Sequence, residues 1–150
     1  MAGNAILFDT NVLLSATGRA RDNHERALRV LNDWPDHGYP LCTSGQILRE
    51  YLVVATRPPE RNGLGLPLAE ALANRDRLLA RLKFLDENRS VSDRLRRLVE
   101  SATLAGKKVH DANLVATALA HGVTRILTEN VQDFERFADV IEIVDLRRIS

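Results

Sequence analysis

The chain of 150 residues has one cysteine, Cys42. An intramolecular disulfide is excluded, and so is a metal cage built from several thiolates. No apolar run approaches the ~20 residues that cross a bilayer. The N-terminus lacks the basic region, apolar stretch and small-residue cleavage site of a signal peptide. These absences point to a reducing cytoplasm and to no membrane association. Internal repeats and low-complexity tracts are missing as well. Nor does one sign of charge dominate: 21 Lys and Arg stand against 20 Asp and Glu, for a net charge of +1. Domains given over to nucleic acid are often strongly basic, and this one is not.

What is present is ordinary in bulk. Hydrophobic residues make up 45% and charged residues 27%, as in soluble globular proteins. The length suits a single domain, residues 1–150, with a core of its own. Basic residues gather locally: Arg75, Arg77, Arg81 and Lys83; Arg94, Arg96 and Arg97; Lys107 and Lys108. Each cluster alone reads as a solvated helix face. Together they could form a broken rim that holds phosphates.

The pattern alternates strands and helices. The run Ile6–Phe8 is short, apolar and ended by polar residues, so it reads as a buried strand. A short helix is expected over 10–17 and a better one over 22–33, stopped by Pro35 and Gly38. A second strand is expected over 39–43. Ser44 is placed to cap a helix reaching about Thr56. The stretch "ERNGLGL" looks like a mobile loop. A long amphipathic helix is expected over 67–86, a weak strand near 90–91, and further helices over 93–104 and 110–120. A strand over 125–128, a short helix over 131–137 and a last strand over 140–144 complete the reading. Such alternation predicts an α/β domain with a mainly parallel sheet. Ligands of such sheets sit outside the carboxyl ends of the strands.

Asp9 lies at such an end, in "AILFDTNVLL". Alone it reads as a helix N-cap, with Asn11 a second short polar side chain at the same mouth. Glu50 lies in "GQILREYLVVAT", where only Arg49 and Glu50 are charged between Ser44 and Thr56. A helix this apolar is mostly buried, so its acid should border a cleft. Asp111, in "KKVHDANLVATALAHG", shares a helix face with Val115 and opens that helix. In "LTENVQDF" a strand ends in Thr128, Glu129, Asn130 and then Asp133. A parallel sheet brings such positions to one edge. Carboxylates gathered there repel one another, and desolvation raises their pKa values. A hard divalent cation relieves both effects and supports phosphodiester hydrolysis.

The segments "ILFDTNVLL", "QILREYLVVATRP", "HDANLVATALAHG" and "ILTENVQDF" resemble, in this order and spacing, the four landmarks of PIN-domain ribonucleases. The overall length resembles the VapC-type toxins of bacterial toxin–antitoxin pairs. The resemblance implies a three-layer α/β/α domain around a central parallel sheet and a Mg²⁺- or Mn²⁺-dependent endoribonuclease. Carried over by position, the acids are Asp9, Glu50 and Asp111, with Asp9 and Asp111 as metal ligands. The family's fourth polar position falls on Asn130, with Asp133 one turn later as a substitute. Thr128 matches the family's strand-end hydroxyl, and Asn11 supports the same site. The resemblance also implies a VapB-type antitoxin, a homodimer, and a transfer, ribosomal or messenger RNA as substrate. Lys107, Lys108 and Arg57 are candidate RNA contacts because they lie near the acids in sequence, and His110 is a candidate general base.

Two other classes compete. A phosphatase with Asp9 as nucleophile needs a second Asp two residues on, where this chain has Asn11. A PIN-like domain that binds RNA or protein without cutting is the alternative that Asn130 keeps open.

Overall fold

The computed structural model describes residues 4–150. Its centre is a five-stranded sheet in the order β3-β2-β1-β4-β5, parallel at every pairing. The strands are β1 (Ile6–Phe8), β2 (Leu41–Ser44), β3 (Lys83–Leu85), β4 (Arg125–Thr128) and β5 (Glu142–Asp145). The helices are α1 (Thr10–Thr17), α2 (His24–Asp33), α3 (Gly45–Thr56), α4 (Leu68–Arg81), α5 (Arg89–Ala102) and α6 (Lys108–Ala120).

The strand order explains the layers. The chain moves outward from β1 to β2 to β3, then returns across the sheet to β4. Parallel crossovers are right-handed, so reversing direction moves the connecting helices to the opposite face. Accordingly α1 packs on α2 and α3, and α3 on α4, while α5 packs on α6. The sheet lies between these two groups, which makes the three-layer α/β/α fold that the motifs imply. Ile6, Leu7, Ile126 and Leu127 are fully buried at its middle, as near-continuous apolar strands covered on both faces must be.

The reversal also creates a crevice. At the carboxyl ends of β1 and β4 the chain leaves in opposite directions, which is where doubly wound sheets bind ligands. The Asp9 amide still donates to the Leu127 carbonyl at 2.9 Å. The acid is thus held at the point where the ladder ends.

Four expectations need correction. The helix expected over 67–86 ends at Arg81, and Lys83–Leu85 is strand β3. Leucines at 78, 82 and 85 fit a helical stripe, yet all three are buried in this broken arrangement. Pairing of β3 with β2 outweighs the local pattern. The strand expected at 90–91 is instead the first turn of α5, capped by Asn88, whose side chain accepts from the Val91 amide. The segment "ERNGLGL" is not a free loop. The amides of Leu64 and Leu66 donate to the carbonyls of Val54 and Ala55, and the Gly65 amide to that of Arg57. A Cβ at Gly63 would stand 2.0 Å from the Arg57 carbonyl oxygen, so only glycine permits this approach. The helix expected over 131–137 is two short 3-10 turns, Val131–Asp133 and Glu135–Phe137.

Candidate active site

Asp9 is both a cap and the centre of the crevice. One carboxylate oxygen accepts from the Thr10 amide at 2.8 Å. The other accepts from the Thr128 hydroxyl at 2.8 Å and from the Asn11 side-chain amide at 3.2 Å. Thr128 in turn accepts from the Asn130 backbone amide at 2.9 Å. Asn11 accepts from the Glu129 amide at 3.1 Å, which ties α1 to the turn after β4.

Glu50 enters from α3, which Ser44 caps at its start as expected, accepting from the Ile47 amide. Its two oxygens are held from two sides. The Thr10 hydroxyl donates to one at 2.8 Å, and the Gln46 side chain to the other at 3.0 Å. Asp111 enters from the first turn of α6. Asp133 follows from the 3-10 turn after β4.

Electrostatics places these acids in one field. Burial pushes the Asp9 carboxyl up to about 7, with Asp111 and Glu50 adding to the rise. The bonds from Thr128 and Thr10 oppose it without cancelling it. Asp111 is pushed up to about 6, first by burial and then by the charges of Asp133 and Glu50. His110 and Arg136 pull it the other way. The rise comes first from burial and second from the repulsion among neighbouring acids, which together mark carboxyls held out of water beside one another.

A sequence model described as the PIN domain matches residues 6–140. The chain belongs to the PIN-domain family. A comparison with curated proteins gives no match. Solved structures resemble the fold along nearly the whole chain. VapBC-1 from nontypeable Haemophilus influenzae aligns with a TM-score of 0.68 at 17% identity, covering 96% of this chain and 99% of that one. VapBC2 from Rickettsia felis, bound to a DNA fragment from its promoter, gives 0.66 at 19% identity, with 94% and 99% covered. VapC20 of Mycobacterium tuberculosis, described as a toxin cleaving the sarcin-ricin loop, gives 0.64 at 17% identity, with 91% and 95% covered.

In this PIN domain the crevice offers hard oxygen donors and uncompensated negative charge, which suits Mg²⁺ or Mn²⁺ by donor chemistry. Among the described residues no three His, Cys, Asp or Glu side chains close around one point tightly enough to hold an ion. The side chains of Thr10, Gln46, Asn11 and Thr128 hold Asp9 and Glu50 in place instead.

The other expected residues are placed as follows. The Asn130 side chain is exposed and makes no hydrogen bond among the described residues; only its backbone amide joins the site. Lys107 and Lys108 are exposed at the start of α6. Arg57 follows the end of α3, in the turn that Gly65 closes. The His110 ring is near enough to Asp111 to lower its pKa, and the His110 carbonyl accepts from Gln46 at 3.0 Å. Much of the basic clustering is structural. Arg75 and Arg96 pair with Asp76 and Glu100 on the surface, and Arg81 donates to the Leu31 carbonyl.

Several residues at the site were not legible as such. Glu129 is hydrogen-bonded by Ser15 and paired with Arg21 at 3.4 Å, so its charge is already met. Gln46 is buried on α3 at 2% exposure. Asn113, from α6, donates to the Gln46 side-chain oxygen at 2.7 Å. The one signal in the sequence was an amide side chain one helical turn before Glu50 on the same face of a mostly apolar helix.

Proposed function

We propose that this PIN domain is a divalent-metal-dependent endoribonuclease, the toxin of a VapC-type pair, formed by one domain spanning the chain. The observation that carries this reading is the gathering of acids at the switch point of the sheet, with Asp9 held by Thr128 and Asn11, Glu50 held by Thr10 and Gln46, and Asp111 close enough to both to feel their charge. Asp9 and Asp111 would hold the cation. When bound, Mg²⁺ or Mn²⁺ offsets the carboxylate charge and polarises a phosphoryl oxygen.

The chain's own groups supply the rest. Thr128 and Asn11 orient Asp9, while Thr10 and Gln46 orient Glu50 towards the same crevice. Asp133 adds charge beside Asp111 where Asn130 adds none. Lys107 and Lys108 sit at a helix N-terminus, where a cation costs a few tenths of a kcal/mol rather than adding stability. A phosphate backbone crossing the mouth of the crevice gives those charges a partner. Arg57, in the turn after α3, is a further contact for the same backbone.

The antitoxin partner rests on a second observation. A groove of about 1290 Å³ lies between α2, the turn after α1, the segment before α4 and the length of α4 from Glu70 to Arg81. Leu28, Leu31 and Leu64 line it, with Arg19, Arg77 and Arg81 among its charged residues. It suits a protein segment with apolar and acidic side chains, as a VapB-type antitoxin would present. The structural relatives from H. influenzae and R. felis are VapBC proteins. A homodimer and a cytoplasmic location belong to the same proposal; among the described residues no helix is long and apolar enough to cross a membrane.

The test is cleavage of total RNA and synthetic transfer RNAs by purified protein with Mg²⁺, with Mn²⁺ and with EDTA. Asp9→Asn and Asp111→Asn run in parallel. Cutting that needs metal and is lost in both folded variants supports the reading. No cutting of any RNA with either metal overturns it in favour of a binding-only domain.

A further inference from the structure

Gln46 lies one helical turn before Glu50 and is buried where few polar side chains are tolerated. Its side-chain nitrogen donates to the free oxygen of Glu50 and to the His110 carbonyl, each at 3.0 Å. Both partners only accept, so the amide must point its nitrogen at them. Its oxygen then faces Asn113, which donates to it at 2.7 Å. The second Asn113 hydrogen goes to Glu87 at 3.1 Å, and the other Glu87 oxygen accepts from the Gln46 backbone amide at 3.3 Å. Every hydrogen of the two amides is used, and the ring of bonds closes on itself.

The two helices joined by this ring are the ones that carry acids. Glu50 belongs to α3, and His110 immediately precedes Asp111 on α6. The helices approach the crevice from different parts of the fold, with Glu50 and Asp111 separated by 61 positions in the numbering. A donor that grips a carboxylate on one helix and the backbone of the other sets their separation. Asn113 and Glu87 remove the freedom the Gln46 amide would otherwise have to turn over.

We propose that Gln46 is a positioning residue that fixes the Glu50 carboxylate relative to Asp111, and that Asn113 locks it in the required orientation. The proposal rests on the reading of this crevice as a divalent-metal site. Groups that orient the carboxylates and imidazoles of such sites govern affinity and activity by about 10- to 100-fold.

The experiment compares wild type, Gln46→Leu and Asn113→Ala in two measurements. Mn²⁺ binding is followed by titration calorimetry without RNA, and RNA cleavage is resolved into kcat and KM. Thermal melting confirms that each variant is folded. The expected result for Gln46→Leu is Mn²⁺ affinity and kcat each lower by about tenfold or more, with KM little changed. Asn113→Ala should fall between it and wild type. If Gln46→Leu does not fold, Asn113→Ala decides, because it keeps Gln46 and frees only its orientation. Wild-type affinity and kcat in a folded Gln46→Leu, or in Asn113→Ala where Gln46→Leu does not fold, would overturn the proposal. If wild type binds Mn²⁺ but cuts no RNA, the nuclease reading fails while the affinities still decide the role of Gln46. A wild-type protein that binds no Mn²⁺ overturns both.

Discussion

The Thr128 hydroxyl donates to the Asp9 carboxylate at 2.8 Å, joining residues 119 apart at the carboxyl ends of adjacent strands. Thr128 is fully buried and also accepts from the side chain of Asn11 and the amide of Asn130. One hydroxyl therefore sets the acid, the start of α1 and the turn after β4. Thr128→Val keeps the volume and removes all three bonds. Stability should fall by about 1–3 kcal/mol, because buried groups lose their partners. Asp9 loses the hydrogen bond that most lowers its pKa, so that pKa should rise further. Denaturant unfolding measures the first effect. Carbon-detected NMR titration of the Asp9 carboxyl measures the second.

The same carboxyl makes the stability of metal-free protein depend on pH. In the unfolded chain Asp9 ionises near 3.8, whereas in the folded chain it keeps its proton to about 7. The folded state therefore binds more protons between these values. The stabilising contribution is full below the lower value and is lost as pH rises through the upper one. Asp111 behaves alike up to about 6. The upper bound for Asp9 is about 4 kcal/mol, from about 1.4 kcal/mol for each pK unit. Urea unfolding in chelator should give a lower free energy at about pH 8 than at about pH 5.5, and Asp9→Asn should flatten the difference. Added Mn²⁺ should stabilise wild type more at the higher pH, where the carboxylates are ionised.

Gly63 makes a prediction remote from the crevice. A methyl group there meets the Arg57 carbonyl oxygen at 2.0 Å, a backbone atom that cannot swing aside. The bonds around it, from Leu64, Gly65 and Leu66 to the end of α3, would have to shift together. Gly63→Ala should cost about 1–3 kcal/mol, as overpacking does. Denaturant unfolding measures that cost. Metal affinity of the folded fraction should stay near the wild-type value, since Asp9 and Asp111 lie on other elements and Glu50 sits one turn before the Val54 carbonyl that these bonds reach.

Local chemistry made part of this molecule legible and left part hidden. An apolar run ended by an acid marked β1 and Asp9 because both signals lie within a few residues. Ser44 announced α3 in the same way, and the apolar character of that helix singled out Glu50. β3 was hidden because Leu78, Leu82 and Leu85 suit a helical stripe equally well. What separates the two readings is pairing with Cys42, Thr43 and Ser44, some 40 positions earlier in the chain. The ring of Gln46, Asn113 and Glu87 was hidden for a similar reason. Each member is an unremarkable polar residue until the sheet order brings α3, α6 and the end of β3 together. Ser15, Arg21 and Glu129 likewise acquire meaning only when β4 returns beside β1.

The fourth acid position separates two residues only three apart. Asn130 carries no charge, its side chain is exposed, and its contribution to the site runs through the backbone amide. Asp133 is also exposed, but its charge is the largest electrostatic influence raising Asp111 after burial. A charge that opposes ionisation of Asp111 in metal-free protein is one that a divalent cation would draw on when bound. Asp133→Asn should therefore do two things at once. It should lower the Asp111 pKa, since a repelling charge is gone, and it should weaken Mn²⁺ binding by about tenfold, since an attracting one is gone. Asn130→Ala should leave both nearly unchanged, because the backbone amide that serves Thr128 remains. NMR titration of Asp111 and calorimetry with Mn²⁺ test the pair. If Asn130→Ala weakens the metal and Asp133→Asn does not, the fourth position belongs to the side chain of Asn130, and the 3-10 turn after β4 must reorganise when the ion binds.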